Sequence, residues 1–532
     1  MIRSLIGASL LLLVSNVGLA QEAPAEPPRI GTISVRALDV FSPEEAARGW
    51  LYRTANAVRF NTRESVIRKF LLFREGDVFD PLRLDETERN LRGLPFLKSA
   101  LVSAGKPHDG IVDVQVITQD AWTTEPGVSF GGKGGVTTYG FDLKEKDFLG
   151  TGRTLAIAYD KRAERSNRSF EYLDPYFLGQ SYVLGDFLYA NNSDGEEERV
   201  SIGRPFAAFS SRNSASILFD HLTLNSRIFA DGDTLSRFHQ RHTEGDAEYG
   251  WAIAASETRA QRAFLRFRSV EDRFYLLHDS PAPVLPEDRL FRFVTLGYQD
   301  VQNDFLKKNF VNRAERYEDF NLGRSFDVEA GVSPSAFGVP RTTGLLRLAF
   351  GEGFRLGPRT FVLGSLSYRT RYDGHFQNEI FSGNGFFVHE FSSTLPRQTF
   401  VSRVTFDRGW NLDRDVQFFA DGDNGLRGYH LYAFEGDKRV VWNAEQRIFL
   451  GREILQLFSL GAAAFFDTGA ATPAGEPLRF RDFKTDVGVG LRIGITRAAT
   501  NSTLRIDVAY ALNRDAKGRR GLLVSFSSGQ GF

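Results

Sequence analysis

From about residue 122 to the last residue, apolar and polar positions alternate in short runs broken by Gly, Asn and Asp. Leu155, Ile157 and Tyr159 fall on one face and Ala156, Ala158 and Asp160 on the other. Leu504, Ile506, Val508, Tyr510 and Leu512 likewise oppose Arg505 and Asp507. A period of two is that of a β-strand with two unlike faces, and roughly 400 residues of such runs, with aromatics on one face and arginines on the other, predict a transmembrane antiparallel β-barrel over residues 122–532. A soluble β-sandwich alternates too, but rarely needs so many strands. About eighteen to twenty candidate runs can be counted.

Ahead of this region the pattern changes. Residues 1–20 hold Arg3, an apolar Leu5 to Val14 and the small-x-small triplet Gly18-Leu19-Ala20, the form of a signal peptide cut after Ala20. Residues 21–29 read as a linker. Residues 30–120 then give a strand (Ile30 to Val40), a capping box at Ser42-Pro-Glu-Glu45, and a helix Thr62 to Leu72 with Val66, Ile67, Phe70 and Leu71 at helical spacing. A helix Leu82 to Leu91 behind Pro81 follows, then strands Phe96 to Ser103 and Gly110 to Thr118. This order predicts a small α+β domain.

Composition narrows the class. The 532 residues include no Cys, one Met, 51 Gly and 48 Phe, and the formal charge is zero, becoming −1 when Arg3 leaves with the signal. An exported protein without Cys cannot rely on disulfides, and the lack of a basic excess argues against nucleic acid as a partner. The mean hydropathy is below zero, which is compatible with transmembrane strands because only alternate residues are apolar.

One pair of segments carries candidate chemistry. Asp421-Gly-Asp-Asn-Gly-Leu-Arg-Gly-Tyr429 has no alternation and reads as a Gly-rich loop offering Arg427. In the run after it, Phe458, Leu460, Ala462, Ala464 and Phe466 share one face, while Ser459, Gly461, Ala463, Phe465 and Asp467 share the other. If the apolar face meets lipid, Asp467 points into the lumen, where a long loop can set Arg427 against it. Taken alone, the loop reads more readily as a surface turn with unrelated charges. Catalytic motifs are weak. Gly127-Val-Ser-Phe-Gly131 sits in a strand-like run without the helix a nucleophile elbow needs, and His239 and His242 are expected as solvated residues of a polar loop rather than metal ligands. No cofactor is expected. Both ends of the barrel region are poor in side chains that could pair across a seam: Gly127 to Gly135, including Ser129, Gly131 and Gly132, and Ser527 to Phe532, including Ser528, Gly529 and the terminal Phe532.

The wording of several segments is familiar. Arg74-Glu-Gly-Asp-Val-Phe-Asp-Pro81, Leu91-Arg-Gly-Leu-Pro-Phe-Leu-Lys98 and Val112-Asp-Val-Gln-Val116 resemble a polypeptide-transport-associated (POTRA) repeat. Asp147-Phe-Leu-Gly-Thr-Gly152, Tyr172-Leu-Asp-Pro-Tyr-Phe-Leu178, Gly425-Leu-Arg-Gly-Tyr429, Phe466-Asp-Thr-Gly469 and Gly488-Val-Gly-Leu-Arg492 stand in the order found in the BamA and TamA superfamily of outer-membrane assembly and translocation barrels, which the chain resembles over most of residues 60–532. That resemblance implies a barrel of about sixteen strands behind a single periplasmic POTRA-like domain. It also implies a loop latched into the lumen through Arg427 and Asp467, with Gly425, Gly428, Tyr429 and Gly469 around them. The implied function is insertion of outer-membrane proteins, or translocation of a polypeptide, through a lateral gate at the seam. The implied partners are the outer-membrane bilayer, an unfolded or nascent polypeptide, and accessory periplasmic or lipoprotein subunits. The alternative is a passive pore or solute-transport barrel; an outer-membrane hydrolase ranks third.

Overall fold

A computed structural model describes residues 27–528 apart from 51–52, 55, 57–59, 134–135, 163–164, 314–316, 393, 395, 456 and 498–502, with backbone alone for residues 125–133, 136, Arg452 and Ser528. The expected signal peptide, most of the linker, Gly529 and Phe532 lie outside these residues. The N-terminal layer is a three-stranded sheet in the order β1 (Arg29–Leu38), β3 (Ile111–Asp120), β2 (Leu97–Ala104), with β1 parallel and β2 antiparallel to β3. Helices α1 (Pro43–Ala47), α2 (Glu64–Arg68) and α3 (Pro81–Gly93) accompany it. Helix α1 starts on the capping box, Ser42 Oγ accepting from Glu45 N at 3.2 Å and Ser42 N donating to Glu45 Oε2 at 2.8 Å. Helix α3 starts on Asp80, whose carboxylate accepts from Leu82 N at 3.0 Å, with Pro81 placed where no N–H is needed. Helix α2 is shorter than the spacing suggests. Thr62 is diverted into bonds with Asp120 and Asp147, at 2.9 and 2.8 Å, and so stays outside the helix. Ile33, Val35, Ile67, Phe70, Leu91, Phe96 and Val114 form the core between sheet and helices.

The barrel begins with β4 (Thr124–Lys133), β5 (Val136–Glu145), β6 (Thr154–Lys161), β7 (Ser166–Asp174), β8 (Leu184–Asn192) and β9 (Gly195–Arg204). Longer strands follow: β10 (Asn213–Ala230), β11 (Asp233–Ala255), β12 (Arg259–Leu276) and β13 (Arg289–Gln302). The chain leaves the wall for a hairpin of β14 (Phe305–Lys308) and β15 (Glu318–Asn321). It returns as β16 (Ser325–Ser333), β17 (Thr343–Gly357), β18 (Thr360–Tyr372), β19 (Phe376–Ser392) and β20 (Arg397–Trp410). A second excursion contains β21 (Phe418–Phe419) and β22 (Glu435–Gly436). The wall ends with β23 (Lys438–Ile454), β24 (Phe458–Thr472), β25 (Lys484–Ile495), β26 (Thr503–Ala511) and β27 (Leu522–Ser528).

Twenty of these strands form one antiparallel ring, not the sixteen that the resemblance implies. The surplus arises because the runs between residues 205 and 395 are wall strands, and only two short strand pairs leave the ring. The even number brings both ends of the barrel to the rim beside the N-terminal sheet, here the near rim. The ring meets itself through a single backbone pair among the described residues, Phe526 of β27 with Gly132 of β4. On either side of it, β26 pairs with β27 from Leu504–Ser528 to Tyr510–Leu522, and β4 pairs with β5 from Thr124–Glu145 to Lys133–Val136.

Alternation places the faces as read from the chain. In β24, Ser459, Ala463, Phe465 and Asp467 are buried towards the interior, whereas Ala462 and Ala464 are exposed on the outside. Phe141, Ile157, Ile217, Leu265, Leu296 and Val489 are likewise exposed on the outer surface. An apolar outer face around a closed ring of hydrogen bonds is what a bilayer requires. No helix among the described residues is long and apolar enough to cross a membrane. His239 and His242 depart from expectation: both lie on the long strand β11, not in a loop. His242 Nδ1 is 2.8 Å from Asp272 Oδ1, and His239 Nδ1 is 2.9 Å from Asn225 Oδ1.

Candidate lumen latch, docking joint and seam

The excursion between β20 and β23 folds back into the lumen from the far rim. Asp421 shapes its bend: Oδ1 accepts from the backbone N–H groups of Asp423 and Asn424 at 3.0 and 2.9 Å, and Oδ2 accepts from Tyr432 N at 2.7 Å. Gly425 has φ +103°, and a Cβ there would stand 2.8 Å from Val441 Cγ1. Gly428 is excluded from substitution by contact instead, a Cβ there coming within 2.6 Å of Asp486 Cβ. These two glycines let the loop lie on the wall closely enough for Arg427 to reach across it.

Arg427 is buried and meets Asp467 through two bonds, Nε to Oδ2 at 2.7 Å and Nη2 to Oδ1 at 2.9 Å. Its Nη1 donates to Glu445 Oε2 at 2.8 Å and approaches Asp507 Oδ2 at 3.4 Å, and its guanidinium carbon stands 3.5 Å from the centre of the Phe465 ring. Asn443 ties the assembly together, its Nδ2 donating to Gly425 O at 2.6 Å and Asp467 Oδ1 at 2.7 Å. Tyr429 Oη donates to Thr485 O at 3.0 Å, and Leu426 and Tyr429 pack with Ala420, Ala433, Val441 and Ala511. Gly469 lies on β24, where a Cβ would come within 2.7 Å of Val440 O.

The wall extends the network beyond the residues expected from sequence. Arg492 donates to Asp507 Oδ1 at 2.6 Å and to Glu445 Oε1 at 3.0 Å; Arg447 Nε also donates to Glu445 Oε1, at 2.9 Å; and Arg505 Nε is 3.0 Å from Asp507 Oδ2. Glu445 is thus shared by three guanidinium groups. Such a set is costly to desolvate as isolated charges and holds only when mutually paired, so it fixes a geometry rather than supplying a nucleophile or a proton donor. Among the described residues no group of three His, Cys, Asp or Glu side chains is placed to hold a metal.

A second junction joins the N-terminal layer to the near rim. The turns after β5 and β7 share the sequence Phe-Leu-Gly, and Leu149 and Leu178 both adopt φ +56°. In the first turn, a Cβ on Gly150 would overlap Asn61 O at 2.3 Å and one on Gly152 would stand 2.8 Å from the Phe96 ring. In the second, Tyr176 enters the N-terminal core and Tyr182 meets Phe70 edge-on at 5.7 Å. The Asp147-to-Gly152 and Tyr172-to-Leu178 motifs therefore form the joint between sheet and barrel. Helix α3 adds to it. Glu86 Oε1 accepts from Phe209 N at 2.9 Å, and Asn90 Nδ2 donates to Ala207 O at 2.8 Å. Burial pushes the Glu86 carboxyl up to about 7, and the neighbouring Glu257 adds to the rise against the pull of Phe209 N–H and Arg89.

At the seam, Ser129, Gly131 and Gly132 lie on β4 and Ser528 on β27. The pair Phe526–Gly132 sets a register in which Ser528 falls opposite Phe130, so Ser129 and Ser528 are offset by one residue. Gly127 to Gly131 is part of β4, and the next element among the described residues is strand β5.

No family model matches the chain. Over 133 residues it is 30% identical to a Treponema pallidum (strain Nichols) protein that carries the name of an outer membrane protein assembly factor; the match spans 24% of this chain and 16% of that protein. Among solved structures, CdiB from Acinetobacter baumannii aligns over 94% of this chain and 74% of its own, with a TM-score of 0.48 and 13% identity. BamA from Haemophilus ducreyi lacking POTRA domains 1–3 aligns over 93% and 84%, with a TM-score of 0.38 and 11% identity.

Proposed function

We propose that this chain is an outer-membrane barrel that inserts outer-membrane proteins or translocates a polypeptide, its near rim facing the periplasm and its far rim the cell exterior. The observation that carries this reading is the seam. A closed barrel has no free strand edge, and the two strands that meet here offer few side chains to pair across the seam: Gly127, Ser129, Gly131 and Gly132 stand on β4 and Ser525, Ser527 and Ser528 on β27. A substrate strand can add to such an edge by main-chain hydrogen bonds. The N-terminal layer, in this reading a POTRA-like periplasmic domain over residues 30–120, presents incoming chains at the edge of its own sheet. Arg427 and Asp467, with Gly425, Gly428, Tyr429 and Gly469, hold the loop inside while the seam works. Accessory periplasmic or lipoprotein subunits belong to the same reading, which assigns the chain no catalytic step.

A cavity of about 760 Å³ lined by Arg266, Glu329, Arg347, Tyr368 and Asp407 favours a second reading, passive solute transport. Depletion of the protein followed by an inventory of outer-membrane proteins separates the two. Broad loss supports insertion, loss of a single exported protein supports dedicated translocation, and an unchanged inventory with altered solute uptake supports the pore.

A further inference from the structure

The hairpin β14–β15 has no place in the wall and forms a two-stranded sheet of its own. It turns into the barrel. Its Leu306, Val311, Phe320 and Leu322 pack against Phe361, Leu363, Phe386, Val388 and Val401, apolar side chains on the inner face of β18, β19 and β20. A lumen filled with water would leave these wall residues wet, so the wall is built for a cover. Polar bonds fix the seat: Thr399 Oγ1 donates to Phe310 O at 3.0 Å, Gly353 N to Leu322 O at 2.9 Å, and Arg447 Nη1 to Val311 O at 2.7 Å. Phe310 itself sits at φ +57°, a conformation a large side chain adopts only where its surroundings impose it.

The hairpin is tied at both ends of its reach. Inside, the Arg447 that holds Val311 also binds Glu445, the carboxylate that receives Arg427 from the far-rim loop. At the rim, helix α3 grips the hairpin strands: Arg92 Nη2 to Asp319 Oδ1 at 2.8 Å, Glu88 Oε1 to Lys307 Nζ at 3.0 Å, and the Arg89 guanidinium 3.9 Å from the centre of the Phe305 ring. The same helix carries Glu86 and Asn90 against the turn between β9 and β10.

We infer that β14–β15 is a plug that closes the lumen from the near rim, and that helix α3 is the clasp that keeps it seated. Movement of the N-terminal layer away from the rim draws Arg92, Glu88 and Arg89 off the hairpin and unseats it. The lumen is then closed by two inserts that meet at Glu445, and a change in the N-terminal layer reaches the plug without passing through the seam.

The test is conductance of the purified full-length protein in planar lipid bilayers. Replacing Phe305–Asn321 by a short Gly/Ser linker is expected to raise the single-channel conductance several-fold. The double variant Arg92→Ala/Glu88→Ala, which leaves the hairpin intact, is expected to raise the fraction of time spent open towards that of the linker variant. Folding is checked by the heat-dependent shift in gel mobility. A folded linker variant that conducts like the parent overturns the plug. Should it fail to fold, amide hydrogen exchange in the double variant decides: faster exchange at 305–308 and 318–321 supports the clasp, and unchanged exchange with unchanged opening overturns it.

Discussion

Arg427 and Asp467 lie forty residues apart in the chain and join through two hydrogen bonds of 2.7 and 2.9 Å in the interior of the barrel. Both are buried, and each has a further partner, Glu445 for the arginine and Asn443 for the aspartate. Removing one member leaves the other as an uncompensated charge out of reach of water, a loss of about 3–5 kcal/mol. Arg427→Ala is therefore expected to lower the resistance of the micelle-bound barrel to urea by that amount. The swap Arg427→Asp with Asp467→Arg is expected to recover part of what each single reversal loses. Additive losses in that cycle would show that the two side chains do not act as a pair.

The loop's approach to the wall depends on two glycines for different reasons. Gly425 needs its positive φ, whereas Gly428 needs the absence of a Cβ against Asp486. Alanine at Gly425 is expected to cost about 1–3 kcal/mol from backbone strain. Gly428→Ala is expected to weaken the Arg427 contacts by lifting the loop. Protease digestion at the far-rim loop in intact cells reads both, with faster cleavage as the expected result and parental cleavage as the contrary one.

Much of this latch is legible in the chain, because a period of two fixes the face of every residue once the strand is recognised. That rule placed Asp467 inside together with Phe465, and Arg505 together with Asp507. It could not say that Glu445, Arg447, Arg492 and Asp507 converge on Arg427, since convergence depends on the register between strands. The count of sixteen strands followed from resemblance, while the alternating runs themselves numbered nearer the twenty observed. The plug left one trace that parity reasoning can use. Phe386-Phe387-Val388 is apolar on both faces of β19, which a water-filled lumen does not require.

Glu86 gives the joint a pH dependence whose sign is fixed by the direction of its shift. A carboxyl raised from 4.5 to about 7 on burial binds its proton more tightly in the docked state than in the undocked one. Docking is therefore strongest below the undocked value and weakens as pH rises from about 4.5 through about 7. Helix α3 amides, corrected for intrinsic exchange rates, are expected to exchange faster at pH 8 than at pH 5.5. Glu86→Gln is expected to abolish that difference; an equal difference in the variant would assign it to another group.

The proposed mode of action stands or falls at the seam. The chain has no native Cys, and the backbone pair between Phe526 and Gly132 gives the register for a lock. The measurement is assembly or export of substrate by the Phe526→Cys/Gly132→Cys protein, oxidised and then reduced, beside each single variant. Loss of function on oxidation, restored by reductant and absent from the single variants, is the expected result. Full function with the disulfide closed would contradict passage or strand addition at this seam.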